Sequence, residues 1–203
     1  RSTHIVTIED PVEFVFTDRT SFFTQREVGI DTPSFETGLR RAMRQAPDII
    51  FVGEIRDATT ALIALQAAET GHLVFSTLHS PNIAETIDRL VHLVPPHERD
   101  SMLSLLSNQT IGILSQRLLP AAEGNRSTLI CESLEVEAAA RDWLRAMDIP
   151  ALSDFIRRGG NPHNKSYQQA LIEAVQQGRV TPEVALATAP NAAEFSRALR
   201  GIS

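Results

Sequence analysis

Residues 46 to 57 read Ala-Pro-Asp-Ile-Ile-Phe-Val-Gly-Glu-Ile-Arg-Asp, and no other stretch limits the possible folds so strongly. Ile49 to Val52 form an unbroken apolar run, with Pro47 before it and Gly53 after it. A run that short and that apolar suits a strand buried on both faces, as in a parallel sheet covered by helices. An acid, Glu54, stands where the strand hands over to a loop. In open α/β sheets that edge is where ligands bind.

The flanking chain repeats the arrangement. His4 to Ile8 is β-branched and runs into Glu9 and Asp10, so it reads as a second strand with acids at its carboxyl end. Pro11 forces an extended turn and Glu13 follows it. Val12 to Phe16 and Ser21 to Glu27 suggest a short hairpin or irregular strands. Thr32 is placed to cap a helix beginning at Pro33, with Phe35, Leu39 and Met43 as its core stripe and Arg40, Arg41 and Arg44 off it. Asp57 is placed to cap a second helix running to about Glu69, with Gly71 as its stop. Leu73 to Leu78 is the next buried strand, ending at His79. Ser80-Pro81 then restarts a helix that carries Arg89. Strand, helix, strand and helix at these spacings predict a parallel α/β sheet.

A helix from Pro95 to about Gly112 leads into a hairpin, Ile113 to Leu119 and Ser127 to Leu134, turned at Gly124-Asn125. Beyond Glu135 the pattern is helical only, over roughly 136–147, 150–158, 165–177, 182–188 and 191–200, with Gly178, Thr181-Pro182 and Asn191 at the breaks. The expected organisation is an α/β core over 1–135 and a small all-helical subdomain over 136–203.

Composition removes several alternatives. The chain has 203 residues, enough for one core and a small satellite. A single cysteine, Cys131, excludes an internal disulfide and any multi-cysteine zinc site. The net charge of −6 argues against a broad nucleic-acid surface, so no nucleic-acid partner is expected. No apolar run reaches the ~18 residues of a membrane span, which points to a soluble intracellular protein. The 19 basic residues include one lysine, Lys165, although a phosphate-cradling loop normally needs a lysine of its own.

An apolar strand that delivers an acid to a crevice is also the Walker B arrangement of nucleotide hydrolases. Four stretches make that reading specific. They are Thr7 to Glu13 (Thr-Ile-Glu-Asp-Pro-Val-Glu), Gln25 to Gly29 (Gln-Arg-Glu-Val-Gly), the run through Gly53-Glu54, and Ala68 to His79 (Ala-Glu-Thr-Gly-His-Leu-Val-Phe-Ser-Thr-Leu-His). In this order and spacing they resemble the Asp box, Walker B segment and His box of the secretion-superfamily ATPases, and within them the type IV pilus retraction motors. The resemblance is dense from about residue 4 to 120 and looser after 135. There Ala139 to Ala146 resembles a degraded form of the retraction motors' Ala-Ile-Arg-Asn-Leu-Ile-Arg-Glu signature; Ala139, Arg141 and Arg145 match, and alanine closes it in place of glutamate. Extension motors carry a zinc-binding tetracysteine insert, which one cysteine cannot supply.

The resemblance implies a RecA-like P-loop NTPase core, ATP and Mg²⁺ as cofactors, and a hexamer. It further implies a cytoplasmic protein on the inner face of the bacterial inner membrane, peripherally associated and partnered by the pilus platform protein. The alternatives are a motor of type II or type IV secretion or of conjugation, and a non-catalytic assembly module. Glu13 is implied as the general base, and Glu54 as the acid at the Mg²⁺ and the water. Gly53 stands where common Walker B segments have aspartate, so the Asp box must share the acid work. Glu9 and Asp10 are further cofactor-binding candidates. His72 and His79 match the two His-box histidines that sense the nucleotide or link it to a neighbouring subunit. Arg44 and Arg89 match positions where the family turns arginines toward a nucleotide, one of them across a subunit interface. Taken locally, the acids could form a solvated turn, the histidines could be structural and the arginines solvated.

The family's Gly-x-x-x-x-Gly-Lys-Ser/Thr loop belongs before His4 and is missing from these residues, so the core is expected to be incomplete and the chain to be the C-terminal part of a longer protein. A near-match, Gly159-Gly160-Asn161-Pro162-His163-Asn164-Lys165-Ser166, follows helical Phe155 to Arg158 where a phosphate loop must follow a strand. Asn164 also takes the place of a glycine free to adopt positive φ. The stretch reads as an interhelical turn.

Overall fold

A computed structural model describes residues 2–159 and 161–200. They group into two compact units, 1–79 with 88–109 and 80–87 with 110–203.

The first unit is built on a four-stranded parallel sheet, β1 (His4–Glu9), β2 (Phe22–Glu27), β3 (Ile49–Val52) and β4 (Leu73–Ser76), in the order β2-β1-β3-β4. The apolar run therefore occupies a central strand. Val6 lies opposite Ile50, and Ile50 opposite Val74, so alternate residues share a face. Helices α1 (Phe35–Ala42) and α2 (Ala58–Glu69) pack on the sheet. Gly38 lets α1 come close, for a Cβ there would lie 3.0 Å from Ile8 Cγ2. Val6, Ile8, Ile50 and Val52 are fully buried as a result. The alternate set is not: Leu73 and Phe75 are 40% and 52% exposed. The expected burial on both faces is thus corrected. Within this chain the sheet is covered on one face, where α1 and α2 lie, and β3 shows the corresponding alternation.

Local chemistry accounts for two further departures. Val12 to Phe16 forms no strand, and β2 runs parallel to β1 instead of turning back in a hairpin. Side chains satisfy the loop where a ladder would have: Glu27 Oε2 accepts from Val12 N at 3.0 Å, and Gln25 Oε1 from Phe16 N at 2.8 Å. The cap of α1 is Ser34, whose Oγ accepts from Thr37 N at 3.1 Å. The Thr32 hydroxyl instead donates to Ser34 O at 3.2 Å, so it caps no helix N–H. Asp57 caps α2 as expected, accepting from Thr60 N at 2.8 Å.

Helix α3 (Ile83–His92) belongs to the second unit as far as Ile87 and to the first from Asp88, and α4 (Arg99–Gln109) completes the first. The second unit opens on the antiparallel hairpin β5 (Gly112–Pro120) and β6 (Ser127–Glu135) and continues as α5 (Ala138–Ala146), α6 (Ile149–Arg158), α7 (Tyr167–Gln176), α8 (Pro182–Thr188) and α9 (Ala192–Leu199). Its core joins hairpin to helices through Leu119, Ile130, Tyr167, Leu171, Val180, Ala185 and Phe195. The change of pattern at 135 marks the end of strands, while packing groups the hairpin with the helices that follow. In the near-match to a phosphate loop, Gly160 lies outside the described residues. Its neighbours form the connection from α6 to α7: Asn164 is buried with its Oδ1 on Glu135 N, and Lys165 Nζ pairs with Glu173 at 2.6 Å.

Candidate functional site

Parallel strands end together, so β1 and β3 deliver their acids to one edge of the first unit. The two strand ends are drawn tight by Gly53, whose N–H donates to Ile8 O at 2.7 Å. A Cβ on Gly53 would lie 3.1 Å from that same backbone oxygen, which explains why aspartate is not found here. We expect Gly53→Ala to destabilise the protein by about 1–3 kcal/mol, as overpacking against an unyielding group does. Chemical unfolding of the two proteins measures it.

Beyond Gly53, Glu54 lies against Asp10 through one arginine. Arg56 donates to Glu54 Oε1 at 2.5 Å and to Asp10 Oδ2 at 3.1 Å. The hydrogen bond to Glu54 raises the Arg56 guanidinium above its ordinary value, so it stays charged. His79 Nε2 stands 3.6 Å from Glu54 Oε2, and Arg89 Nη1 donates to His79 O at 2.8 Å. Glu9 is buried and accepts from Thr7 Oγ1 at 2.5 Å and Gln25 Nε2 at 3.1 Å. Gln25 also donates to Phe14 O at 2.9 Å, pinning the loop after Asp10. On that loop Glu13 is exposed, and among the described residues its carboxylate has no hydrogen-bond or ion-pair partner.

Glu9, Asp10, Glu13 and Glu54 all line one cavity of about 550 Å³. Thr7 apart, its remaining side chains are apolar, chiefly Ile5, Ile49, Phe51 and Phe75 from the open sheet face, with Phe14, Phe16 and Phe23 from the loop and β2. Acids and aromatics on one lining give it two chemistries. The first can orient water or a hydrated cation, and the second excludes water.

Two of the expected residues are not brought here. Arg44 sits in a 3₁₀ turn, Met43–Gln45, between the end of α1 and the start of β3, and His72 immediately precedes β4. Both therefore stand at the amino edge of the sheet, opposite the acids. His72 Nδ1 lies 3.0 Å from Ala67 O and 3.3 Å from Thr70 Oγ1, tying the turn from α2 to β4. Among the described residues no three histidine, cysteine or acidic side chains converge on a point that could hold a metal ion.

Sequence reasoning passed over Arg56, Gln25 and the phenylalanines of the loop. Arg56 had a signal in its charge, two residues beyond Glu54 at the exit of a buried strand. Gln25 stood inside a quoted motif, but a side chain that organises a loop leaves no periodic trace.

The model of the type II/IV secretion system protein family matches residues 1–178. The chain is 40% identical over 193 residues to the twitching motility protein of Neisseria gonorrhoeae, covering 95% of this chain and 52% of that one. It is 40% identical over 180 residues to the type IV pilus retraction ATPase PilT of Pseudomonas aeruginosa, covering 89% of this chain and 52% of that one. A crystal structure of the pilus retraction motor PilT with bound ADP superposes with a TM-score of 0.88 at 41% identity, over 97% of this chain and 55% of that one. The chain thus spans about half the length of the relatives it matches, and its fold is that of a RecA-like α/β core with a helical part. On the extent of the family match and of these identities, the chain belongs to the type II/IV secretion system protein family.

Proposed function

We propose that this chain carries the hydrolytic acids of an ATPase subunit that powers type IV pilus retraction, and hence twitching motility. The observation that carries the reading is Glu13, a carboxylate without a partner among the described residues that lines a cavity whose other acids are held. Phosphoryl transfer needs a positioned water more than covalent help. Glu13 is free to orient that water and accept its proton. Arg56 keeps Glu54 and Asp10 in place and balances their charge until a nucleotide arrives. His79, beside Glu54, is placed to report on what that acid holds.

The donors fit Mg²⁺. All are hard carboxylate oxygens, and Mg²⁺ takes one or two of these together with phosphates and water. Glu54 is the residue that would hold it, and when bound it would neutralise charge between the β- and γ-phosphates. Glu9, buried and doubly hydrogen-bonded, holds the strand end from which Asp10 and Glu13 project. His72 and Arg44, at the far edge, serve the neighbouring subunit of a hexameric ring. The ring works at the cytoplasmic face of the inner membrane on the pilus platform protein. Among the described residues no helix is long and apolar enough to cross a membrane.

Deleting the gene from its host should leave pili that extend and do not retract. The wild-type gene should restore twitching and a Glu13→Gln allele should not. Normal retraction in the deletion strain would remove the reading. We also expect the 203-residue chain alone to turn over ATP negligibly, because its single lysine, Lys165, is paired with Glu173 in the helical unit. Phosphate release compared with the natural full-length protein measures this, and steady turnover by the chain alone would redirect attention to Lys165.

A further inference from the structure

Burial does little to hold residues 11–17, the loop that carries Glu13. Phe14 and Val15 are 76% and 86% exposed, and only Phe16 finds a ring to stack on, Phe23, at 4.8 Å between centroids. Hydrogen bonds must therefore fix the path of the chain. Among the described residues, no backbone-to-backbone hydrogen bond involves residues 11–17. Their main-chain bonds go instead to two side chains of β2. Val12 N donates to Glu27 Oε2 at 3.0 Å, Phe16 N donates to Gln25 Oε1 at 2.8 Å, and Phe14 O accepts from Gln25 Nε2 at 2.9 Å. The chain is thus tied to Glu27 one residue before Glu13 and to Gln25 one residue after it.

Both anchors are themselves fixed. Gln25 and Glu27 stand two apart on β2 and so share a face of the sheet, opposite Thr7 and Glu9 in the register with β1. Gln25 Nε2 also donates to Glu9 Oε1 at 3.1 Å, and Glu9 is buried. Glu27 is held from behind by Asp31: its N–H donates to Asp31 Oδ2 at 2.8 Å, and its carbonyl accepts from Asp31 N at 2.8 Å. A primary amide is what position 25 requires. Its nitrogen meets two groups that only accept, a carboxylate and a carbonyl, while its oxygen meets an N–H. A carboxylate in its place would lose both donors and face Glu9 with like charge.

We propose that Gln25 and Glu27 are positioning residues for Glu13: they tie the main chain on either side of it and so set where its carboxylate meets the attacking water. The inference rests on the reading of Glu13 as the base. Neither residue touches the reacting atoms; both act through the loop. An exposed carboxylate gains a defined place in this way without a partner that would occupy it.

The test uses the natural full-length protein, with ATP turnover and amide hydrogen exchange over residues 12–16 read together. Gln25→Ala should speed that exchange at least about tenfold, as loss of a local restraint does. It should lower kcat by about 10- to 10²-fold while KM for ATP stays within about twofold, the signature of misplacement without lost binding. Gln25→Glu fills the same volume, so a role in packing alone would survive it; loss of the two donors should instead make it as damaging as Gln25→Ala. Glu27→Gln keeps an acceptor for Val12 N and should retain most of both properties, whereas Glu27→Ala should lose both. The deciding measurement is a double-mutant cycle with Glu13→Gln. Once the base is gone its placement no longer matters, so adding Gln25→Ala to Glu13→Gln should lower turnover by no more than about twofold. Losses that multiply in the double variant, unchanged exchange in Gln25→Ala, or faster exchange with wild-type kcat would each overturn the proposal. If Gln25→Ala does not fold, Gln25→Glu takes its place in the same cycle. Wild-type turnover in Glu13→Gln alone would remove the reading of that base and the positioning role with it, while the exchange data would still report whether β2 holds the loop.

Discussion

In the natural full-length protein, Glu13→Gln should lower ATP turnover by about 10²–10⁴-fold, the usual worth of a positioned base. ATP affinity should stay within about twofold of wild type, because the amide preserves shape and removes the proton acceptor. The contrast with Glu54 gives the experiment its force. Glu54 is already engaged by Arg56 at 2.5 Å and lies 3.6 Å from His79, whereas Glu13 has no partner among the described residues. Glu54→Gln, which removes the carboxylate that would hold the ion, should also shift the Mg²⁺ titration to higher concentration, and Glu13→Gln should not. Phosphate release across a Mg²⁺ titration, with nucleotide binding measured separately, reads both. Should Glu13→Gln keep most of the turnover while Glu54→Gln abolishes it, the base is Glu54.

Arg44→Ala should be as damaging, by about 10³–10⁵-fold if its charge meets the transition state from a partner. On the proposed reading this is an assignment between subunits. The four residues of β3 separate Arg44 from the acid edge, a span of roughly 13 Å at ~3.3 Å per residue. No rotamer of Arg44 crosses that span around its own sheet. A head-to-tail ring, which sets one surface of each subunit against a different surface of the next, can bring the amino edge of one sheet to the carboxyl edge of another. Mixing inactive Arg44→Ala subunits with inactive Glu13→Gln subunits should then restore part of the turnover. Arg89 should behave differently: its guanidinium already holds the carbonyl of its own chain's His79, so mixing should not rescue Arg89→Ala. Rings that form and stay dead with Arg44→Ala would end the interface assignment.

The extent to which all this was legible in the sequence followed from the range of the interactions. The central strand, the Asp57 cap and the helices after 135 depend on local pattern, and they form within a few residues of their expected places. The loop from Pro11 to Ser21 was misread because its order comes from Gln25 and Glu27 reaching back nine to fifteen residues. Burial of β3 was overestimated because an apolar run reveals a need for cover without revealing how much of it these residues supply. The acids of the site were legible because parallel strands deliver their ends to one edge. Arg56 was not, since its two partners lie two and forty-six positions away and only the folded sheet brings them together.

The cavity also bears on colloidal behaviour. Its lining includes Phe14 and Phe75, both exposed, and β4 is an edge strand of the sheet among the described residues. An open edge next to exposed phenylalanine is a template for adhesion between copies. The same cavity, however, carries four carboxylates with one arginine beside them, in a chain of net charge −6. Two such faces approaching each other meet like charge as well as hydrocarbon. The repulsion reaches only about 8–10 Å at physiological ionic strength and shrinks further as salt is added. The acids that line this cavity thus also oppose its adhesion to a second copy, and they do so best in dilute buffer.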